Sequence, residues 1–158
     1  MRTIHRYFRL FVLVAVFSLG VHSSSAVKTN RQSEEAAQKG SGIIFFSTSK
    51  LEELKKFYVE KIGCRLWLDQ GSCAILKYGN LLVGFCEGKN PDTGGLITFF
   101  YEKKEDVDRM YEKFKNTAVA PPRENPKYRI YHFFIKDPEG RTLEFQMFMH
   151  PIDWRFQP

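Results

Sequence analysis

Apolar and polar positions along this chain fall into two blocks that repeat one pattern. After Gly42, the run Ile43-Ile44-Phe45-Phe46 is followed by Lys50 and Glu52. The pattern returns 54 residues later (99 − 45), where Ile97-Thr98-Phe99-Phe100 is followed by Lys104 and Asp106. The echo continues through Lys55/Arg109, Phe57/Tyr111 and Lys61/Lys115. In the first block, residues 43–46 predict a strand. Leu51, Leu54, Phe57, Tyr58 and Ile62 recur at helical steps as one buried face, and Gly63 ends that helix. Residues 64–68, 72–77 and 81–86 then predict three short strands, separated by the turn pairs Gln70-Gly71 and Gly79-Asn80. The second block predicts a strand over Leu96–Tyr101, a helix over Lys104–Phe114, an edge segment over 119–123 and strands over 128–135 and 141–148. The last two strands flank the turn Asp137-Pro138-Glu139-Gly140. Pro121 and Pro122 have no N–H for a ladder, which confines their segment to an edge.

One strand-helix-three-strand unit cannot bury its apolar face alone, so two copies predict a single pseudo-symmetric α+β domain. Its two curved sheets are expected to wrap a shared cup, and such concave surfaces are where ligands bind. The domain should cover 42–149, as modules 42–88 and 95–149. Ahead of it, Arg2, Arg6 and Arg9 precede an apolar stretch over 10–21, and Ser24 and Ala26 supply small residues before a cut at Val27. That layout predicts a signal peptide over 1–26 and a secreted or periplasmic protein. The alternative is an uncleaved, outward-facing membrane anchor, although twelve apolar residues fall short of the about 20 that span a bilayer. Residues 27–41 are polar and read as a linker; 150–158 form a tail with Ile152, Trp154 and Phe156, placed over the domain or a neighbouring subunit of a homodimer.

The formal net charge is +6, and removing residues 1–26 with their three arginines lowers it to +3. The remaining lysines sit beside Glu and Asp on helix faces and form no basic stripe, which excludes a nucleic-acid footprint. His5, His22 and His150 lie outside the repeat, so no His-rich metal spacing exists.

The first helix closing through Phe57-Tyr58 and Ile62-Gly63, and above all the late run Asp137-Pro138-Glu139-Gly140-Arg141-Thr142-Leu143-Glu144-Phe145, resemble the vicinal oxygen chelate superfamily. This is the glyoxalase, bleomycin-resistance and extradiol-dioxygenase group, and the likeness spans roughly 42–149. It implies paired modules around a cup. In metal-dependent members, four side chains point into that cup: His or Gln on each first strand and Glu on each last strand. Carried over, those positions fall at Ile43, Gly84, Ile97 and Glu144. One carboxylate cannot hold a divalent ion, so neither metal nor other cofactor is expected.

Strand alternation around Gly84 and Glu144 predicts what lines the cup instead. Leu82 and Cys86 should face it in the first module, and Thr142, Glu144, Gln146 and Phe148 in the second. Phe45, Ile75 and Phe99 add apolar walls, with Ile43 and Ile97 beside them, while Trp67 and Tyr128 are candidates to stack on a ligand. The candidate ligand-binding set is therefore Phe45, Trp67, Ile75, Phe99, His132, Glu144 and Gln146. Glu144 is the candidate general acid or base, with His132 able to join it in proton transfer. Each has a plain structural alternative, as a packed aromatic, a strand histidine or a carboxylate bonded to Tyr or Arg.

Three functions fit this pattern. The first is an exported, metal-free protein of bleomycin-resistance type that binds a small apolar or aromatic molecule. The second is a lyase, isomerase or dioxygenase relative using Glu144, with or without a metal site that the pattern does not foresee. The third is a structural or interaction module.

Cys64, Cys73 and Cys86 leave an odd thiol in an exported chain. A two-residue turn at Gly79-Asn80 makes opposed positions sum to 159, and 73 + 86 is 159. Counting outward from Tyr78/Leu81, Cys73 and Cys86 occupy a non-hydrogen-bonded pair, with Cα atoms about 4.5 Å apart. A disulfide is allowed at that spacing.

Overall fold

The structure is a computed structural model that describes residues 41–152. The expected signal, linker residues 27–40 and tail residues 153–158 with Trp154 and Phe156 lie outside the described residues. The first module contains β1 (Ile44–Thr48), α1 (Leu51–Lys56, continued by a π-helical turn Phe57–Ile62), β2 (Arg65–Asp69), β3 (Cys73–Tyr78) and β4 (Leu81–Glu87). The second contains β5 (Leu96–Tyr101), α2 (Lys104–Phe114), β6 (Arg123–Asn125), β7 (Ile130–Lys136) and β8 (Thr142–Phe148). Each module builds one mixed four-stranded sheet, in the orders β1-β4-β3-β2 and β5-β8-β7-β6. In each sheet the first strand runs parallel to the last. The α+β architecture expected from the repeat is present, with curved sheets that do not close.

Local chemistry explains the elements. Leu54, Tyr58 and Ile62 are four residues apart, a spacing that drifts about 40° per step around an ideal α-helix. The wider π turn lessens that drift, so all three stay buried. Gly63 then takes φ +97°, a conformation that L side chains rarely adopt, and its N–H and that of Cys64 both return to the Tyr58 carbonyl. The expected edge segment at 119–123 is not a strand: Val119 gives one hydrogen bond to the Phe134 carbonyl (2.9 Å), and the ladder starts only past the prolines, at Arg123.

The register corrects the repeat. Phe45 lies opposite Gly84, and Thr98 lies opposite Glu144. The structural repeat in the first strands is therefore 53 residues (98 − 45), one fewer than the sequence echo, and it matches Leu54 to Val107 and Tyr58 to Tyr111. A one-residue shift turns every strand side chain to the other face. Ile97 and Phe99, expected in the cup, instead lie under α2, and Thr98 takes the open face.

The helix-covered faces of both sheets share one core. Phe145 is its centre, with Phe133, Phe99 and Phe114 ring centroids at 5.1, 5.4 and 5.7 Å. Burying each such ring contributes roughly 1.5–3 kcal/mol. The modules meet through two equivalent turns. The β3–β4 turn brings Tyr78 onto β5, where its ring packs edge-on against Phe99 (4.9 Å) and its hydroxyl donates to that of Tyr101 (3.0 Å).

The β7–β8 turn docks on the end of β1 through charge. Arg141, with its side chain 1% exposed, pairs with Asp137 (2.9 Å) and Glu139 (2.7 Å) and donates to the Ser47 carbonyl (2.9 Å). Its guanidinium also stacks over Phe46 and Phe85. Tyr58 donates to Asp137, and Ser49 donates to Glu139 through both N–H and hydroxyl. The motif that carries the family resemblance thus forms an intermodule clamp.

Cys73 and Cys86 are opposite one another with Cα atoms 4.1 Å apart, joined as a disulfide, while Cys64 is free and buried. Burial pushes the Cys64 thiol up to about 12, so it stays protonated and unreactive. Alkylation in denaturant without reductant is expected to label Cys64 alone; labelling of three cysteines would rule the bond out.

Candidate functional site

The face of the second sheet opposite α2 carries a polar centre within an aromatic frame. Cross-strand register sets Arg123, His132, Gln146 and Phe100 in one row across β6, β7, β8 and β5. The next row holds Phe134, Glu144 and Thr98, and Phe148 pairs with Ile130 on the other side. Directly paired residues share a face, so these side chains form one surface.

His132, Glu144 and Gln146 are all buried there. Nδ1 of His132 lies 2.6 Å from Oε1 of Glu144, and the Thr98 hydroxyl donates to Oε2 (2.9 Å). With Glu144 ionised and the imidazole neutral, the histidine proton lies on Nδ1 and Nε2 is an acceptor. Phe134 packs edge-on against the imidazole (4.8 Å) and fixes its plane. Among the described residues, Arg141 Nε is the one buried side-chain nitrogen or oxygen without a partner. Nε2 of His132 and the Gln146 amide make no hydrogen bond to a described residue either. They are therefore not sealed, and reach the open surface.

The structure brings three expected site residues together: His132, Glu144 and Gln146. Phe45 and Ile75 face the open side of the first sheet in the row of Gly84, and the Phe45 ring lies over that glycine. A Cβ at Gly84 would run into the ring atoms Cδ1 and Cε1 of Phe45. The first module's counterpart of Glu144 is thus covered by an aromatic ring. Trp67 sits at a bulge on edge strand β2, half-exposed, in the other sheet from the His-Glu pair. Phe99 is the displaced member: it is buried against Phe145, because the β5 phase is one residue off the expected one. Thr98 and Arg123 went unnoticed in the sequence, and only the register reveals them.

A divalent ion of the family type does not fit these residues. The four positions related by register are Phe45, Gly84, Thr98 and Glu144, and Glu144 is already engaged by His132 and Thr98. No group of three or more His, Cys, Asp or Glu among the described residues could hold a metal.

A cavity of about 110 Å³ lies at the seam, between the turn Tyr78 to Leu81 and Thr98 to Phe100. Thr98 and Phe100 thus line both this cavity and the face that carries His132 and Glu144.

No family model and no curated protein sequence matches the chain. Solved structures do. A lactoylglutathione lyase from Agrobacterium tumefaciens is 20% identical with a TM-score of 0.57, over 69% of this chain and 93% of that one. A glyoxalase/bleomycin resistance protein/dioxygenase from Alicyclobacillus acidocaldarius is 18% identical with a TM-score of 0.60, over 71% and 93%. A glyoxalase/bleomycin resistance protein/dioxygenase family enzyme from Burkholderia phytofirmans is 18% identical with a TM-score of 0.59, over 66% and 95%. With its paired modules, intermodule clamp and parallel first and last strands, this chain has the fold of these glyoxalase/bleomycin resistance/dioxygenase proteins.

Proposed function

We propose that the chain is an exported, bleomycin-resistance-like protein that binds a small aromatic molecule on the open face of its second module, without a family-type metal. The observation that carries this reading is a buried polar centre, His132, Glu144 and Gln146, framed by Phe100, Phe134 and Phe148. Ligand sites combine that kind of apolar wall with a few placed polar groups. The arginine-flanked apolar segment and the Cys73–Cys86 bond support export.

Fluorescence titration with 1-anilinonaphthalene-8-sulfonate tests the binding surface. Phe100→Ala is expected to weaken the probe about tenfold, the equivalent of losing one aromatic contact, with circular dichroism unchanged. Affinity unchanged in both Phe100→Ala and Phe148→Ala would overturn the assignment. N-terminal sequencing of the natural protein tests export, with a mature start near Val27 expected.

A further inference from the structure

We propose that His132 and Glu144 act as a paired proton acceptor for an aromatic hydroxyl, so that a phenol-class ligand is held as its anion beside Arg123. This deepens the binding reading above and rests on it.

The hydrogen-bond pattern sets the chemistry. With Glu144 accepting from Thr98 and from Nδ1–H of His132, the imidazole turns a bare Nε2 toward the open face. A bare acceptor backed by a carboxylate selects a ligand that brings a proton. The O–H bond of the ligand breaks with its electron pair staying on oxygen. The proton forms an N–H bond at Nε2, and the resulting imidazolium is held by the Glu144 carboxylate.

Arg123 decides which kind of proton donor fits. It is paired in register with His132 on the neighbouring strand, is exposed, and makes no side-chain hydrogen bond or ion pair to a described residue. An unpaired guanidinium favours a ligand that becomes an anion over an aliphatic alcohol or an amine. Among the described residues, the charged or titratable groups around His132 on this face are Glu144 from β8, Arg123 from β6, Lys136 farther along β7, which is bonded to Thr142, and His150, whose ring packs against Phe148. Proton transfer therefore converts one neutral histidine and one neutral phenol into two matched ion pairs, imidazolium with Glu144 and phenolate with Arg123. Gln146, beside His132, has a free amide for a second polar group on the ring. Phe100 and Phe148, with centroids 6.0 Å apart, offer the ring an apolar wall.

The test compares 4-nitrophenol with 4-nitroanisole, which has the same ring and no acidic proton, at a pH where free 4-nitrophenol is mostly protonated. Binding to the wild-type protein is expected to produce the yellow phenolate band, and the anisole should bind at least tenfold more weakly. His132→Gln should abolish the band. Arg123→Met, on the surface and without risk to the core, should lower nitrophenol affinity about five- to tenfold. Equal binding of the two probes, or a phenolate band that survives His132→Gln, overturns the proton-acceptor role and leaves the binding surface standing. Failure of both probes to bind overturns both.

Discussion

Replacing Arg141 with alanine is expected to remove about 3–5 kcal/mol of stability, because it strands the carboxylates of Asp137 and Glu139 in a site closed to water. A domain of this size is stable by only about 5–15 kcal/mol, so the loss is a large fraction of the whole. Arg141→Lys should recover only part of it. A lysine keeps the charge but lacks the fork that reaches Asp137, Glu139 and the Ser47 carbonyl together. Urea unfolding of the two variants decides the matter. A loss below about 1 kcal/mol for alanine would mean that the clamp holds no more than an exposed ion pair does.

The same clamp predicts an acid-labile domain. Burial alone would push the Glu139 carboxyl up, but hydrogen bonds from Thr48, Ser49 and Arg141 overcome that and hold it at about 2. A carboxyl depressed in the folded state stabilises fully above its unfolded value near 4.5, and the contribution is lost as pH falls toward 2. The difference corresponds to about 3 kcal/mol. Unfolding free energy measured from pH 6 down to about pH 2.5 should therefore fall, and Glu139→Gln should flatten the slope in that window by most of this amount. An identical slope in the variant would refute the assignment. Asp69 and Asp108 are also lowered, by their hydrogen bonds to Lys55 and Lys104, but these pairs are solvent-exposed and contribute little.

Much of this architecture was legible in the sequence. Lys104–Phe114 and Leu96–Tyr101 appear within the bounds that periodicity gave them, and the turn at Gly79-Asn80 placed Cys73 against Cys86 by simple counting. The β8 phase was also correct, since Glu144 and Gln146 share the open face while Phe145 lies under the helix. The β5 phase was not. The quartets 43–46 and 97–100 look most alike at an offset of 54, yet hydrogen bonding to the last strands sets the offset at 53. Strand resemblance reads side-chain chemistry, whereas register answers to backbone pairing, and a period of two makes the smallest slip a complete inversion. Thr98 was hidden by that slip. The clamp was hidden for another reason: Arg141 and Ser47 are 94 residues apart, and no local pattern encodes which carbonyl a buried guanidinium will find.

The disulfide has a consequence for how the chain reaches this state. Cys64 is nine residues from Cys73 (73 − 64), whereas the native partners are separated by 13. Loop-closure entropy changes only slowly with length, so the wrong loop closes about as readily as the right one. The choice then depends on timing. If the β3–β4 hairpin zips first, it presents Cys86 to Cys73 while α1 withdraws Cys64 into the core. If oxidation comes first, the trapped chain must exchange thiols before β2 and β3 can pair. The third cysteine is inert in the finished protein and a competitor during its assembly.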